Sequence, residues 1–289
     1  MHDGCSVVIA THNRAPELRD SLQHLYDLPE RPAVLVVDNG STDGTEGVCK
    51  QFGSRVQVLK LRRNIGAAAR TIGAREADTP YVAFCDDDCY WAAGALERAA
   101  QLLNAHADVA VLNGRVLIGE SGRPDPACDA MRGDAASARA LPGVPIVYFM
   151  AGASVMRRAP FLDAGGYHQR YFIGAEESLL ALDLAANGWK LWYCDDLIVR
   201  HRPSALNRDP ETRRRLVLRN RLWTAWLRRS WGTAIGLLAQ YARVARSDRI
   251  VRAALRDAIA GLPWVLRERA PIPPDLERRV RALDRALGL

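Results

Sequence analysis

The sequence predicts an α/β fold with a mainly parallel, buried sheet, followed by a helical extension. In the first half of the 289-residue chain, short apolar runs rich in β-branched residues alternate with segments of helical periodicity. This alternation is typical of parallel strands joined by helices that cover the sheet. From Pro210 onward the sequence is rich in arginine and helix-like, with breaks near Pro263 and at residues 271–274. We therefore predict a sheet domain over residues 1–205 and a basic, mainly helical extension over residues 206–289.

The predicted elements follow one another in a regular order. The first strand is predicted at residues 7–10, and Pro16 suits the first turn of the helix that follows. The other predicted strands are 34–37, 56–61, 81–85, 148–156, 191–194 and 197–199. Further helices are predicted at 66–77, 161–166 and 178–187. Residues 115–145 are rich in glycine, proline and aspartate, and they are predicted as a loop.

The composition is that of an ordinary globular protein, with 48% hydrophobic and 25% charged residues. No apolar run has the length of a membrane-spanning helix, and the first run, residues 5–10, is too short for a signal peptide. The six cysteines are scattered, and the one close pair, Cys85 and Cys89, lacks the second pair of a zinc site. Reduced thiols are the simplest interpretation, so we expect a cytoplasmic protein.

The net charge of +7 is unevenly distributed along the chain. Residues 200–289 contain 21 arginines and 8 acidic residues, a net charge of +13, whereas the rest of the chain carries −6. We expect the helices of this basic tail to pack against the acidic body. A peripheral contact with an anionic membrane is the second hypothesis, because the tail also holds four tryptophans. No recognised motif supports nucleic-acid binding, and we predict no nucleic-acid partner.

Three consecutive aspartates, Asp86, Asp87 and Asp88, follow directly after the apolar run at residues 81–85. Three like charges at the end of a buried strand repel one another unless a cation or hydrogen-bond donors neutralise them. The carboxyl ends of strands are also where open α/β sheets bind ligands. From these residues alone, a cation site at the edge of the sheet and a solvated acidic turn are both open.

In the order of its motifs the chain resembles the glycosyltransferase family 2 enzymes, which have the GT-A fold. The resemblance rests on four blocks, which are Val8–Arg14, Val37–Thr45, Asn64–Arg70 and Phe84–Asp88. A fifth region, from Gly165 to Trp189, resembles the acceptor-side half of these enzymes. Each block is weak by itself, but five blocks in the right order are specific. The resemblance implies that residues 1–205 form a GT-A domain that takes a sugar from a nucleotide donor.

The resemblance also implies which residues contact the nucleotide. Asp38 would accept a hydrogen bond from a base imide or a ribose hydroxyl, although an Asx turn is the alternative interpretation. The guanidinium of Arg70 suits a phosphate, and a surface helix arginine is the alternative there. The full set of expected nucleotide contacts is Thr11, Asn13, Arg14, Asp38, Asn64, Gly66, Arg70, Asp86 and Asp87.

By the same resemblance, the three aspartates form the DxD motif of the family. Asp86 or Asp87 would face the ribose, and Asp88, together with Asp86, would bind Mn²⁺ or Mg²⁺. His201 matches the late histidine that completes the metal site in the family. The cation would bridge the two phosphates and stabilise the leaving nucleotide diphosphate.

Glu176 and Glu177 stand where the family usually has Glu-Asp. Glu177 takes the aspartate position, so it is the expected general base on the acceptor hydroxyl, with Glu176 as the alternative. A base on the face opposite the leaving phosphate gives inversion in a single displacement, which is the outcome that the family implies. The Gln-x-x-Arg-Trp motif of processive polysaccharide synthases does not occur in the sequence. A single transfer to a discrete acceptor is therefore expected.

These observations predict a metal-dependent, inverting, non-processive glycosyltransferase of the hexosyltransferase type. A UDP-sugar is the default donor, and dTDP- and GDP-sugars remain open. The acceptor would offer a hydroxyl or an amine on a small molecule, a lipid-linked molecule or a saccharide. Two alternatives are a sugar-nucleotide nucleotidyltransferase, although residues 11–14 lack the glycines of its phosphate loop, and a non-catalytic nucleotide-sugar-binding scaffold.

Overall fold

The structure is a computed structural model that describes residues 4–132, 142–204 and 209–286. Its strands are β1 (Cys5–Thr11), β2 (Val34–Asp38), β3 (Val56–Lys60), β4 (Tyr81–Cys85), β5 (Cys89–Trp91), β6 (Val109–Ile118), β7 (Arg123–Pro124), β8 (Val144–Ile146), β9 (Ser154–Arg157) and β10 (Lys190–His201). Its helices are α1 (Ala15–Tyr26), α2 (Thr45–Lys50), α3 (Ala69–Glu76), α4 (Ala95–Ala105), α5 (Pro126–Arg132), α6 (Arg158–Asp163), α7 (Glu176–Ala186), α8 (Pro210–Arg228), α9 (Trp231–Val244), α10 (Arg249–Ala260), α11 (Leu262–Glu268) and α12 (Pro274–Ala286).

All ten strands form one mixed sheet, with the main order β3-β2-β1-β4-β9-β6-β10-β5. The first four strands in that order are parallel to one another, as their continuous apolar runs predict. Strand β9 then pairs antiparallel with both β4 and β6. In the register of the parallel half, Thr11 lies opposite Asp38 and Ile9 lies opposite Cys85. The residues that follow β1, β2 and β4 therefore emerge at the same edge of the sheet.

The second half of the sheet differs from its predicted form. Residues 115–145 are predicted as a loop, but strand β6 extends into them and they also contain α5. Residues 133–141 of this segment lie outside the described part of the chain. The two predicted short strands at the end of the domain are one strand, β10, with a register shift between Cys194 and Ile198. The predicted strand at 148–156 is largely replaced by a 3₁₀ turn at residues 151–153, and only β9 is extended there.

The tail helices pack on the sheet domain through an apolar cluster that includes Tyr171, Leu179, Trp223, Trp226 and Trp264. Helix α8 is central to this cluster, because its buried face meets α7 on one side and α10 on the other. This arrangement confirms the expected packing of tail on body. The predicted domain boundary at 205/206 falls in residues 205–208, which lie outside the described residues. Within the described residues, no helix is both long and apolar enough to cross a membrane.

Candidate active site

The edge of the sheet where the parallel strands end holds the three aspartates in three different environments. Asp87 points back into the protein, where its carboxylate accepts a hydrogen bond from Thr11 Oγ1 at 2.9 Å and pairs with Arg14 Nη1 at 3.2 Å. Its backbone carbonyl accepts from Ser21 Oγ at 2.9 Å, which fixes the turn to α1. Burial raises the pKa of Asp87 to about 7, against the opposing effect of Arg14. Asp87 therefore stabilises the turn that carries the other two aspartates.

Asp88 lies next to His201, because the strands that carry them meet at this edge. Asp88 Oδ1 is 3.5 Å from His201 Nε2, and Asp88 Oδ2 accepts a hydrogen bond from Arg14 Nη2 at 2.8 Å. The backbone N–H of Arg202 donates to the Asp88 carbonyl at 2.8 Å, so the neighbour of His201 is held to the aspartate turn. Burial alone would raise the pKa of Asp88, but the hydrogen bonds from His201 and Arg14 outweigh it and hold the pKa well below its ordinary value.

The pair of Asp88 and His201 fits a divalent cation. The potential ligand atoms of Asp88, His201 and the adjacent Cys89 all lie within 4.8 Å of one another. A carboxylate that stays ionised and an imidazole nitrogen are both suitable ligands for a cation such as Mn²⁺. Asp86 is not a member of this group of ligand atoms. Its predicted role as a second metal ligand stays a prediction.

Asp86 pairs with Arg70, which connects it to the fifth block. Arg70 Nη2 forms a short ion pair with Asp86 Oδ1, and Arg70 Nη1 lies 4.0 Å from Glu176 Oε1. The Arg70 side chain is only 10% exposed, so it is not the surface helix arginine of the alternative interpretation. Gly152 gives Asp86 its space, since a Cβ there would lie 2.5 Å from the Asp86 carboxylate carbon. One buried guanidinium thus holds two acids from distant parts of the chain.

The two glutamates begin helix α7 and have different surroundings. Glu176 is 5% exposed, and its Oε2 has no hydrogen-bond partner among the described residues. Glu177 is half-buried. Burial, and then the charge of the neighbouring Glu176, together raise the pKa of Glu177 to about 8. Burial also raises the pKa of Glu176, against the pull of Arg70. A carboxyl group with a raised pKa is suited to proton transfer near neutral pH.

The remaining predicted nucleotide contacts shape the loops around this edge. Asp38 Oδ1 accepts a hydrogen bond at 2.8 Å from the N–H of Ser41, three residues further along the chain. Asn64 Oδ1 accepts from the Gly66 N–H at 2.8 Å, which is an Asx turn. Asn13 Oδ1 accepts from the Thr42 N–H at 2.8 Å and so joins the loop after β1 to the loop after β2.

Gly66 lies in the contact between the nucleotide-side loops and the fifth block. It has φ of +65°, and a Cβ at this position would lie 2.0 Å from the carbonyl oxygen of Phe172. The next residue, Ala67, donates its N–H to the same carbonyl at 2.6 Å. Thr71 adds a second link, since its Oγ1 accepts from the Tyr167 N–H at 2.8 Å. Sequence reasoning missed Thr71, Gly152 and Ser21, because each acts through a contact that only the fold creates.

Solved structures with the same fold include sugar-transferring enzymes. GalNAc-T7 with UDP, GalNAc and Mn²⁺ superposes with a TM-score of 0.62 and 16% identity, over 79% of this chain and 48% of that chain. The mannosyltransferase PcManGT from Pyrobaculum calidifontis, in complex with GDP-Man and Mn²⁺, gives a TM-score of 0.59 and 18% identity, over 91% of this chain and 82% of that chain. At this level of identity the likeness shows the GT-A fold.

Sequence comparison gives the family. An N-acetylglucosaminyl-diphospho-decaprenol L-rhamnosyltransferase of Mycobacterium tuberculosis is 28% identical over 249 residues, which are 73% of this chain and 80% of the relative. The family model described as Glycosyl transferase family 2 matches residues 6–164, which is more than half of the chain and includes the first four blocks. The chain therefore belongs to glycosyltransferase family 2, and it is a glycosyltransferase.

Proposed function

We propose that this glycosyltransferase is metal-dependent and inverting, and that it moves one sugar from a nucleotide diphosphate to a hydroxyl or amine of a discrete acceptor. The observation that carries the proposal is the pairing of Asp88 with His201 at 3.5 Å at the edge of the sheet. Beside this pair, Arg70 links Asp86 to Glu176. Arg70 thus contacts one of the three aspartates and the first of the two glutamates.

The residues at the edge of the sheet would hold the cation and the nucleotide. Asp88 and His201 would hold Mn²⁺ or Mg²⁺, which when bound supplies positive charge to the leaving diphosphate. Arg14 neutralises Asp87 and one oxygen of Asp88, so the three aspartates can lie together before any ligand arrives. Thr11 ends β1, Asp38 ends β2 and Arg70 is in the first turn of α3, and these residues would contact the nucleotide. A uridine donor is our first choice among nucleotides.

Glu177 would remove the proton from the acceptor hydroxyl, with Glu176 as the alternative base. Glu176 faces Arg70 and the aspartates, whereas Glu177 is one position further along the first turn of α7. Glu176 raises the pKa of Glu177, so the two acids do not readily ionise together. For inversion, this base would have to act on the face of the sugar opposite the leaving group.

We further propose a lipid-linked acceptor, because the relative from Mycobacterium tuberculosis is named for a decaprenol-diphosphate-linked sugar and spans most of this chain. An acceptor of this kind lies at a membrane surface, which makes a peripheral membrane contact of the tail a natural part of the proposal.

Two substitutions test the metal-dependent function. We expect Asp88→Asn and His201→Ala each to lower Mn²⁺-dependent transfer by about 10²-fold or more, since each removes one ligand of the expected cation. Binding of UDP in the presence of Mn²⁺, measured by calorimetry, should weaken in parallel. Asp108→Asn is the matched control, because Asp108 forms an exposed pair with Lys190 away from the site. Full activity in both site variants would contradict the proposal.

A further inference from the structure

Cys89 lies beside the proposed cation pair and has not been assigned a role. It begins β5, where it is the direct cross-strand partner of His201 on β10. Directly opposed residues of antiparallel strands place their side chains on the same face of the sheet. Cys89 is 5% exposed, and its Sγ donates a hydrogen bond to Asp88 Oδ1 at 3.6 Å. One carboxylate oxygen therefore lies between a thiol and an imidazole.

The distances around that oxygen match the edges of a tetrahedral metal site. Two ligand atoms on one tetrahedral Zn²⁺ are separated by about 3.3–3.6 Å, given metal bonds of about 2.0 Å to nitrogen or oxygen and about 2.3 Å to sulfur. Asp88 Oδ1 is 3.5 Å from His201 Nε2 and 3.6 Å from Cys89 Sγ. The third separation in the group is within 4.8 Å, so the three atoms can converge on one ion with small side-chain movements.

We propose that Cys89 is a third protein ligand for thiophilic divalent cations such as Zn²⁺ and Co²⁺, at the site where Asp88 and His201 hold the cation of the proposed function. The inference rests on that function for the position of the site, and it adds a sulfur ligand. On coordination, the Cys89 thiol releases its proton to the buffer and a sulfur–metal bond forms. The thiolate and the Asp88 carboxylate then balance the two charges of the ion, and His201 binds as the neutral imidazole.

The consequence is a site whose ligands depend on the ion. Mn²⁺ and Mg²⁺ prefer oxygen, so they gain little from Cys89, whereas Zn²⁺ and Co²⁺ bind thiolate well. Substitution of Cys89 should therefore weaken the harder ions little and the softer ions strongly. We expect Cys89→Ser to lower the affinity for Zn²⁺ and Co²⁺ by about tenfold or more, while the affinity for Mn²⁺ changes less than threefold.

The direct test is the absorption spectrum of the full chain titrated with Co²⁺. A thiolate ligand gives a charge-transfer band in the near ultraviolet, and any bound Co²⁺ in a low-symmetry site gives visible ligand-field bands. We expect both sets of bands in the wild type. In Cys89→Ser the ultraviolet band should disappear while the visible bands remain. Cys49→Ser is the matched control, because Cys49 is also a buried cysteine and lies on α2. This variant should keep both the ultraviolet band and the visible bands.

The outcomes separate this inference from the function on which it rests. Visible bands without the ultraviolet band in the wild type would overturn the Cys89 assignment and leave the cation site intact. An ultraviolet band that persists in Cys89→Ser would assign the thiolate to another cysteine and overturn it as well. Absence of every Co²⁺ band would contradict both the cation site and the inference. Should Cys89→Ser not fold, Cys89→Ala and the wild-type spectrum decide the question.

Discussion

At the scale of single residues, the proposed chemistry depends on the two glutamates of α7. If Glu177 is the base, Glu177→Gln removes the proton acceptor, and we expect kcat to fall by about 10²–10⁴-fold while donor binding is kept. Glu97→Gln is the control, because Glu97 is exposed on α4. Steady-state kinetics with calorimetry of UDP binding separate the two effects. A normal kcat in Glu177→Gln together with a large loss in Glu176→Gln would assign the base to Glu176.

The raised pKa of Glu177 also predicts how activity and stability change with pH. A base must be deprotonated, so kcat/KM should rise with pH and level off above about 8. Between its ordinary value of 4.5 and about 8, the folded protein holds a proton that the unfolded chain has released. The contribution of Glu177 to stability therefore falls as pH rises through this window. We expect Glu177→Gln to have a higher Tm than the wild type at pH 8, and thermal unfolding over pH 5–9 checks it. A lower Tm would contradict the raised pKa.

At the scale of elements, helix α8 holds the loop that precedes the two glutamates. Asn220 is fully buried, and its Nδ2 lies 2.6 Å from the Gly174 carbonyl, 2.9 Å from that of Tyr171 and 3.2 Å from that of Ile173. A leucine at this position has a similar branched shape, but it cannot donate a hydrogen bond to the Gly174 and Ile173 carbonyls. We expect Asn220→Leu to lower the free energy of unfolding by about 1–3 kcal/mol and to lower kcat more than it weakens UDP binding.

Chemical denaturation and kinetics test this link between tail and site. Gln101→Leu is the control, since Gln101 is an exposed amide on α4. If kcat stays at the wild-type value although the protein is destabilised, α8 stabilises the fold without ordering the site. In that case the division at 205/206 into a catalytic domain and an extension would gain support, because the tail would be dispensable for the geometry around Glu176.

The elements also show what the sequence could and could not predict. Strands β1, β2 and β4 were predictable because they are apolar on both faces and end in polar turn residues. Strand β10 was predicted as two pieces because Asp195 and Asp196 interrupt its apolar run; in the fold they bulge outward to pair with Arg132 and Arg98. The pairing of Asp88 with His201 depends on strand order, which no local pattern encodes. From the sequence, the pair could be predicted only through the resemblance to a family.

At the scale of the whole molecule, the tail is held by packing more than by its charge. Many of its arginines pair within the tail, as Arg214 does with Asp248 and Arg215 with Asp257. Arg228 pairs across the contact with Asp183 of α7, and three buried tryptophans of the tail belong to the apolar cluster that joins it to the sheet domain. The excess of arginine is therefore left on the outer surface. That surface also carries large apolar side chains that are more than a third exposed.

Helix α9 concentrates these exposed apolar side chains. Trp231 and Ile235 are 53% and 61% exposed, and they lie one turn apart with Ala242 on the same stripe of the helix. Residues 231–242 contain no charged side chain, although the tail around them is rich in arginine. Arg269 lies 3.8 Å from the Trp231 ring, so a cation stands beside the stripe. An apolar stripe with an arginine beside it would suit an anionic membrane surface, because the ring would enter the interface and basic side chains of the tail would face the headgroups.

We expect the wild type to float with vesicles that contain anionic lipid and to remain unbound with neutral vesicles. The double variant Trp231→Glu/Ile235→Glu should lose binding by at least about tenfold, since two carboxylates would face the apolar interface. Gln101→Glu, which adds a carboxylate elsewhere on the surface, should float like the wild type. Binding should also weaken with salt, because the arginine contribution is screened. If the wild type and the double variant bind vesicles equally, the membrane contact is wrong. If light scattering then shows that only the wild type dimerises, the stripe is an interface between two copies of the chain.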